Sequence, residues 1–171
     1  MTVPRITIRA LGPTDAPAYR RLRLAALAGA PEAFGSSVAE EEALPPDTLR
    51  ARLDAAPSVV FAAFAGPAMV GMAGFLAVER AKERHKGVLW GVHVDPAFRG
   101  RGIGRALVAR VVDHARGHVR VLHAQVALTN AGAGRLYARL GFVRYGIEVK
   151  ALAVDGVFHD AELLALDLAT G

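Results

Sequence analysis

The sequence predicts one mixed α/β domain, and three observations carry that expectation. Strand-like and helix-like periods alternate along the 171 residues with no linker between them. The stretch 87–127 reads strand, helix, strand, which is the pattern of a parallel crossover. Two turn dipeptides, Gly66-Pro67 and Asp155-Gly156, each separate two apolar strand-like runs, as antiparallel hairpins require. A parallel centre with antiparallel flanks makes a mixed sheet. With 53% hydrophobic residues the chain can bury a real core as a single domain, 1–171.

The elements follow in order. Residues 5–9 alternate as a short strand. Thr14 then stands where a cap belongs, ahead of a helix whose apolar face uses Tyr19, Leu22, Ala26 and Leu27. Pro31-Glu32-Ala33-Phe34-Gly35-Ser36-Ser37 and Glu40-Glu41-Glu42 read as a loop or short helix, the glutamates forming a solvated face that can attract a cationic amine. Pro45-Pro46-Asp47 opens a second helix through about Ala55, with Asp47 as its cap. Strands at 59–64 and 69–78 form the first hairpin, 80–86 is a charged turn, and 87–94 is the next strand. The helix 103–115 sets Ile103, Leu107, Val108, Val111 and Val112 on one face. A strand at 119–127, a short helix from Asn130 to Leu140, and strands at 142–152 and 157–168 complete the domain.

Composition excludes several function classes. There is no cysteine, so a disulfide framework, a cysteine nucleophile and a thiolate metal site are all ruled out. The net charge is +5, but the arginines are dispersed and no basic run is interleaved with aromatics, which argues against nucleic acid as a partner. The segment Met1-Thr2-Val3-Pro4-Arg5-Ile6 has no long apolar core, and no apolar run approaches the roughly 20 residues that span a bilayer. A cytoplasmic protein without a membrane partner is expected. His114 and His118 are four apart, yet no third ligand lies nearby and His-Glu-x-x-His is absent, so no metal is expected. Trp90 and Phe98 read as core or loop packing.

The chemistry concentrates in residues 92–107, where a strand ends at Pro96 and an arginine/glycine loop leads into a helix. Glycines at 100, 102 and 104 let the backbone approach a ligand, and the first helical turn leaves amide N–H groups without internal partners. Those amides, the helix dipole and Arg99, Arg101 and Arg105 make a polyanion cradle. A tight turn alone needs fewer glycines than three in five residues. A Walker A loop fails for want of a lysine. A dinucleotide fingerprint fails because position 107 is Leu and residues 114–147 contain no Asp or Glu to hold a ribose.

Arg99-x-x-Gly102-x-Gly104, preceded by Val94-x-Pro96, resembles the acetyl-CoA signature of the GNAT superfamily of N-acetyltransferases. Asn130 followed by Leu136-Tyr137-x-x-x-Gly141-Phe142 resembles the later helix of the same family, and together the motifs cover about 87–145. The resemblance implies a centrally splayed seven-stranded sheet flanked by about four helices. It implies acetyl-CoA as donor, no metal, and a primary amine of a small molecule or protein as acceptor, attacking directly in a ternary complex. Main-chain groups of Val92, His93 and Val94 would bond the pantetheine arm and the thioester oxygen. The pyrophosphate would rest on amides of Arg99, Gly100, Arg101, Gly102, Ile103 and Gly104, with Arg105 close by. Asn130 would bond the arm, a role compatible with capping its helix, and Tyr137 would sit beside sulfur as general acid. A thiol near ~8.5 and a phenol near ~10 are close enough for that proton transfer. Dimerisation is common in the family.

The general base is less defined. Some family members carry a glutamate on the strand before the asparagine; here that place holds Gln125, which cannot act as a base. His93 is the nearest titratable candidate, and strand alternation leaves the direction of its side chain open. The competing reading is a CoA-binding or nucleic-acid-binding domain without turnover, distinguished by release of free thiol in the presence of amines.

Overall fold

The computed structural model describes residues 5–168, so the reading of residues 1–4 lies outside it. Seven strands, β1 (Ile6–Ala10), β2 (Val59–Ala65), β3 (Ala68–Ala77), β4 (Lys86–Val94), β5 (Val121–Ala127), β6 (Val143–Val154) and β7 (Val157–Asp167), form one sheet in the order β1-β2-β3-β4-β5-β7-β6. All neighbours are antiparallel except β4 and β5, which are parallel. The helices are α1 (Ala16–Gly29), α2 (Val38–Ala43), α3 (Pro46–Leu53), α4 (Ile103–Arg116) and α5 (Ala131–Arg139). The sheet matches the expectation, and α2 is the one helix beyond the four foreseen.

Both faces of the sheet are covered, which explains the unbroken apolar run Val-Val-Phe-Ala-Ala-Phe-Ala in β2. Phe61 and Ala63 join Leu107, Val108 and Val111 of α4 on one face, while Val60 and Ala62 join Tyr19, Leu22 and Leu27 of α1 on the other. Each large side chain removed from water in this way contributes about 1.5–3 kcal/mol. The 154–157 corner is a two-residue hairpin loop in which Asp155 (φ 48°) and Gly156 (φ 79°) take the left-handed conformations such a turn demands.

Two caps differ from expectation. Thr14 lies inside a 3₁₀ turn, Pro13–Asp15, and the Asp15 carboxylate instead accepts from the Gly12 amide (2.9 Å) and pairs with Arg9 (2.8 Å). The second predicted helix starts two residues early, at Pro46 with Pro45 in the cap position, because the preset φ of proline suits the first helical position. Asp47 then falls inside the first turn and pairs with Arg50 at 2.7 Å.

The acidic run is also corrected. Ser37 and Glu40 form a reciprocal capping box, with Ser37 Oγ accepting from the Glu40 amide (3.2 Å) and the Glu40 carboxylate from the Ser37 amide (2.7 Å). Helical rotation of about 100° per residue then turns Glu41 inward and leaves Glu42 in solvent. Glu41 is only 2% exposed, 2.9 Å from Arg52 Nη1 and 3.6 Å from Arg23 Nε, so it is a buried counter-ion rather than part of a solvated face.

At the sheet centre, β4 and β5 pair only through Lys86↔Val121, Gly87↔Leu122 and Val88↔His123, and then part. β4 continues beside β3 with a bulge: between Gly74↔Trp90 and Met72↔His93 it spends three steps against two on β3, and Gly91 takes φ +63°. The expected central splay is therefore present.

Glu41→Ala leaves the buried Arg23 without its counter-charge, and urea unfolding should show a loss of about 3 kcal/mol. An unchanged midpoint would mean that this ion cluster contributes nothing to the fold.

Candidate active site

Where β4 and β5 part, a cavity of about 900 Å³ opens. Val92 and Val94 of β4 line one side, the Phe98-Arg99-Gly100 loop and residues 102–105 a second, and Asn130, Leu136 and Arg139 a third. Sequence chemistry explains the cradle. Asp95 Oδ1 accepts from the Ala97 amide (2.8 Å) and sets a 3₁₀ turn, Pro96–Phe98. Gly100 and Gly102 both take φ +75°, turning the chain into α4. The first bond into α4 runs from the Ala106 amide to Gly102 O at 3.0 Å, so the amides of Ile103, Gly104 and Arg105 have no helical carbonyl behind them. These three residues lie in the cavity wall, with Arg99 and Arg139 in the same lining.

A narrower recess of about 50 Å³ continues into the gap between β4 and β5, sharing Ala33, Val92, Asn130 and Ala133 with the larger cavity. Tyr137 and Gln125 line this recess. Tyr137 is 5% exposed, with its ring 5.6 Å from that of Phe142. Burial pushes its phenol well above the ordinary value, which corrects the expectation of a near match with a thiol. Asn130 Oδ1 caps α5 through the Ala133 amide at 3.2 Å, leaving its amide nitrogen for other partners.

Two candidate side chains are not brought to the cavity. Arg101 is exposed and folds back over the Phe98 ring (5.1 Å), with Nη2 3.4 Å from Ala97 O. His93 stands beside the Phe34 ring (6.4 Å between centroids) on the α1 face, because alternation sends Val92 and Val94 the other way. Burial, with a smaller push from Arg99, holds its imidazole below the ordinary 6.5 and therefore neutral at pH 7. Conversely, Phe98 forms part of the cavity wall, as do Glu32 and Arg139, which sequence reasoning did not single out. Gly132, Leu136 and Arg139 fall at i, i+4 and i+7 along α5, a stripe that periodicity alone could have found. Glu32 arrives from far along the chain and left no local signal.

The model of the Acetyltransferase (GNAT) family matches residues 30–142. The chain belongs to that family. Among curated relatives it is similar to N-alpha-acetyltransferase RimI of Mycobacterium tuberculosis, 42% identical over 65 residues, or 38% of this chain and 40% of that protein. It is also similar to streptothricin acetyltransferase of Streptomyces lavendulae, 36% identical over 81 residues, or 45% of this chain and 41% of that protein. The chain thus spans less than half the length of the curated relatives it matches. Among solved structures, the yncA protein of Salmonella typhimurium, determined with its cofactor acetyl-CoA, superposes with a TM-score of 0.85 at 24% identity, covering 98% of this chain and 96% of that one. A GNAT acetyltransferase from Streptococcus pneumoniae gives 0.84 at 23% identity, covering 95% and 99%. These likenesses show the GNAT fold.

Two substitutions separate backbone demand from ligand demand in this GNAT cradle. Gly102→Val forces a branched residue to φ +75° and should cost about 1–2 kcal/mol in urea unfolding. Gly104→Ala should leave stability unchanged or higher, since a Cβ there lies 3.7 Å from Val94 Cγ2 in ordinary contact.

Proposed function

We propose that this protein is an acetyl-CoA-dependent N-acetyltransferase that acylates a primary amine by direct attack in a ternary complex. The observation that carries the reading is the row of unpaired amides at the start of α4, facing a cavity that runs on into the β4/β5 gap. The residues present fit a CoA pyrophosphate: three main-chain donors at a helix N-terminus, arginines at 99, 105 and 139, and a glycine at 104 whose missing side chain leaves room. Acetyl-CoA supplies an acyl thioester, whose attack by a free amine forms the amide bond and releases the CoA thiol.

The roles of the residues follow from their positions. Beyond Val88 the β5-facing edge of β4 has no strand partner, so main-chain groups of Val92 and Val94 can bond an extended pantetheine arm as a strand would, while those of the intervening His93 face β3. Donors on that edge also oppose the negative charge that develops on the thioester oxygen. Asn130 offers its side-chain nitrogen to the arm. Tyr137, kept protonated by burial, donates a hydrogen bond to the departing sulfur as charge builds there.

The acceptor, as this reading has it, is a small-molecule or protein amine. The reading also carries a cytoplasmic location and a homodimer of the kind common in the family. Among the described residues no helix is long and apolar enough to cross a membrane. The exposed apolar side chains of Val143, Tyr145, Ile147 and Val149 on the edge strand β6 favour self-association.

Thiol release from acetyl-CoA across an amine panel tests this reading. Release should depend on the amine, and Tyr137→Phe should lower kcat about a hundredfold with little change in KM for acetyl-CoA. Gly104→Ala should raise the CoA dissociation constant about tenfold, or about 1.4 kcal/mol, without loss of fold. Tight CoA binding with no amine-accelerated release would make the protein a binding module instead.

A further inference from the structure

The donor end of this site is rich in cations, while the acceptor end still lacks a counter-charge. A lysine-like primary amine in water is an ammonium ion with a pKa near ~10.4, and it approaches a chain of net charge +5. It needs an anion close to the point of attack. We propose that Glu148 on β6 is the carboxylate that receives the acceptor's ammonium group, and that Gln125 on β5 is the positioning residue that holds it there. The proposal rests on the acyl-transfer reading above.

Gln125 lines the recess between β4 and β5 opposite Trp90, Val92 and Tyr137, and its Nε2 donates to Glu148 Oε2 at 2.6 Å. An amide cannot ionise near neutral pH, so Gln125 contributes orientation and no charge; the charge is that of Glu148. The bond reaches across β7, which separates β5 from β6 in the sheet. Gln125 faces Leu163, and Leu163 faces Gly146, so no side chain on β6 stands between them at that level.

Irregularities in β6 aim Glu148. Its register against β7 shifts between Arg144 and Gly146, and again between Glu148 and Leu152. Lys150, at φ 55°, donates its amide to Asp160 Oδ1 at 2.7 Å and pins the second shift. The 3₁₀ turn Pro31–Ala33, which carries Glu32 and Ala33, lies against both β5 and β6 and closes this side of the recess.

Charge pairing distinguishes Glu148 from Glu41, Glu83 and Glu162, and its bond to Gln125 distinguishes it from Glu32 of the cavity wall. Glu41 is held by two arginines, Glu83 by Lys86 and Glu162 by Arg144. Among the described residues Glu148 is paired with no cation, and it is solvent-exposed, so an incoming ammonium can reach it. The carboxylate that some family members would carry at position 125 is thus supplied from the neighbouring hairpin.

A test that reads binding without turnover uses n-butylammonium chloride as probe and the Gln125 side-chain amide resonance as reporter. In the wild type that resonance should shift saturably with butylammonium and not with n-butanol; Glu148→Gln should abolish the shift and Glu148→Asp should keep part of it. CoA affinity should stay within about twofold in both variants, about 0.4 kcal/mol. With an amine that the enzyme acetylates, Glu148→Gln should raise KM for the amine about tenfold and change kcat less, the reverse of Tyr137→Phe. An unmoved Gln125 resonance in the wild type, or an equal shift in Glu148→Gln, overturns the assignment. A Glu148-dependent shift without any thiol release would support the ammonium site while overturning acyl transfer.

Discussion

Everything at this site depends on the parting of β4 from β5 after Val88. A buried sheet centre normally satisfies its main-chain donors and acceptors on both edges, because unpaired ones in an apolar setting are costly. Here the inserted step at Gly91 bends β4 away while β3 still holds its other edge. The exposed edge is stable only if water or a ligand completes it. The parting therefore creates both a cavity and a set of main-chain groups that await an extended partner, and it points them at the N-terminus of α4.

The surrounding residues divide the work by face. On the α4 face Val92, Val94, Leu136 and the glycine loop form an apolar trough with arginines at one end, suited to a long ligand with a charged head. On the opposite face a buried ion cluster of Glu41, Arg23 and Arg52 fastens α1, α2 and α3 together. Arg23 lies between the rings of Phe34 and Trp90, at 5.1 and 5.5 Å, and its Nη1 comes within 3.5 Å of where a Cβ on Gly91 would stand. The bulge is thus braced from behind by Arg23 of α1.

Much of this was legible because the signals are local. The 103–115 helix announced itself through its apolar spacing, the final hairpin through Asp155-Gly156, and the cradle through glycines immediately before a helix. Such features depend on neighbours within a few residues, and local sterics decide them. The failures share a cause as well. The inward turn of Glu41, the seat of His93 beside Phe34, and the buried phenol of Tyr137 are set by which distant segments happen to face each residue. The two misplaced caps were closer errors: Thr14 and Asp47 have the right chemistry, but neighbouring prolines shifted the helix starts.

The sequence by itself determined the element order, the family and the glycine-rich turn into α4, since each is written in consecutive residues whose backbone preferences act within one turn. It also showed that position 125 carries an amide where a carboxylate would serve. Only the tertiary structure decided what stands beside that amide. Glu148 lies 23 residues away and two strands across the sheet, brought in by the shifted register of β6 against β7. Register arises from pairing over the whole hairpin, so no local pattern encodes it.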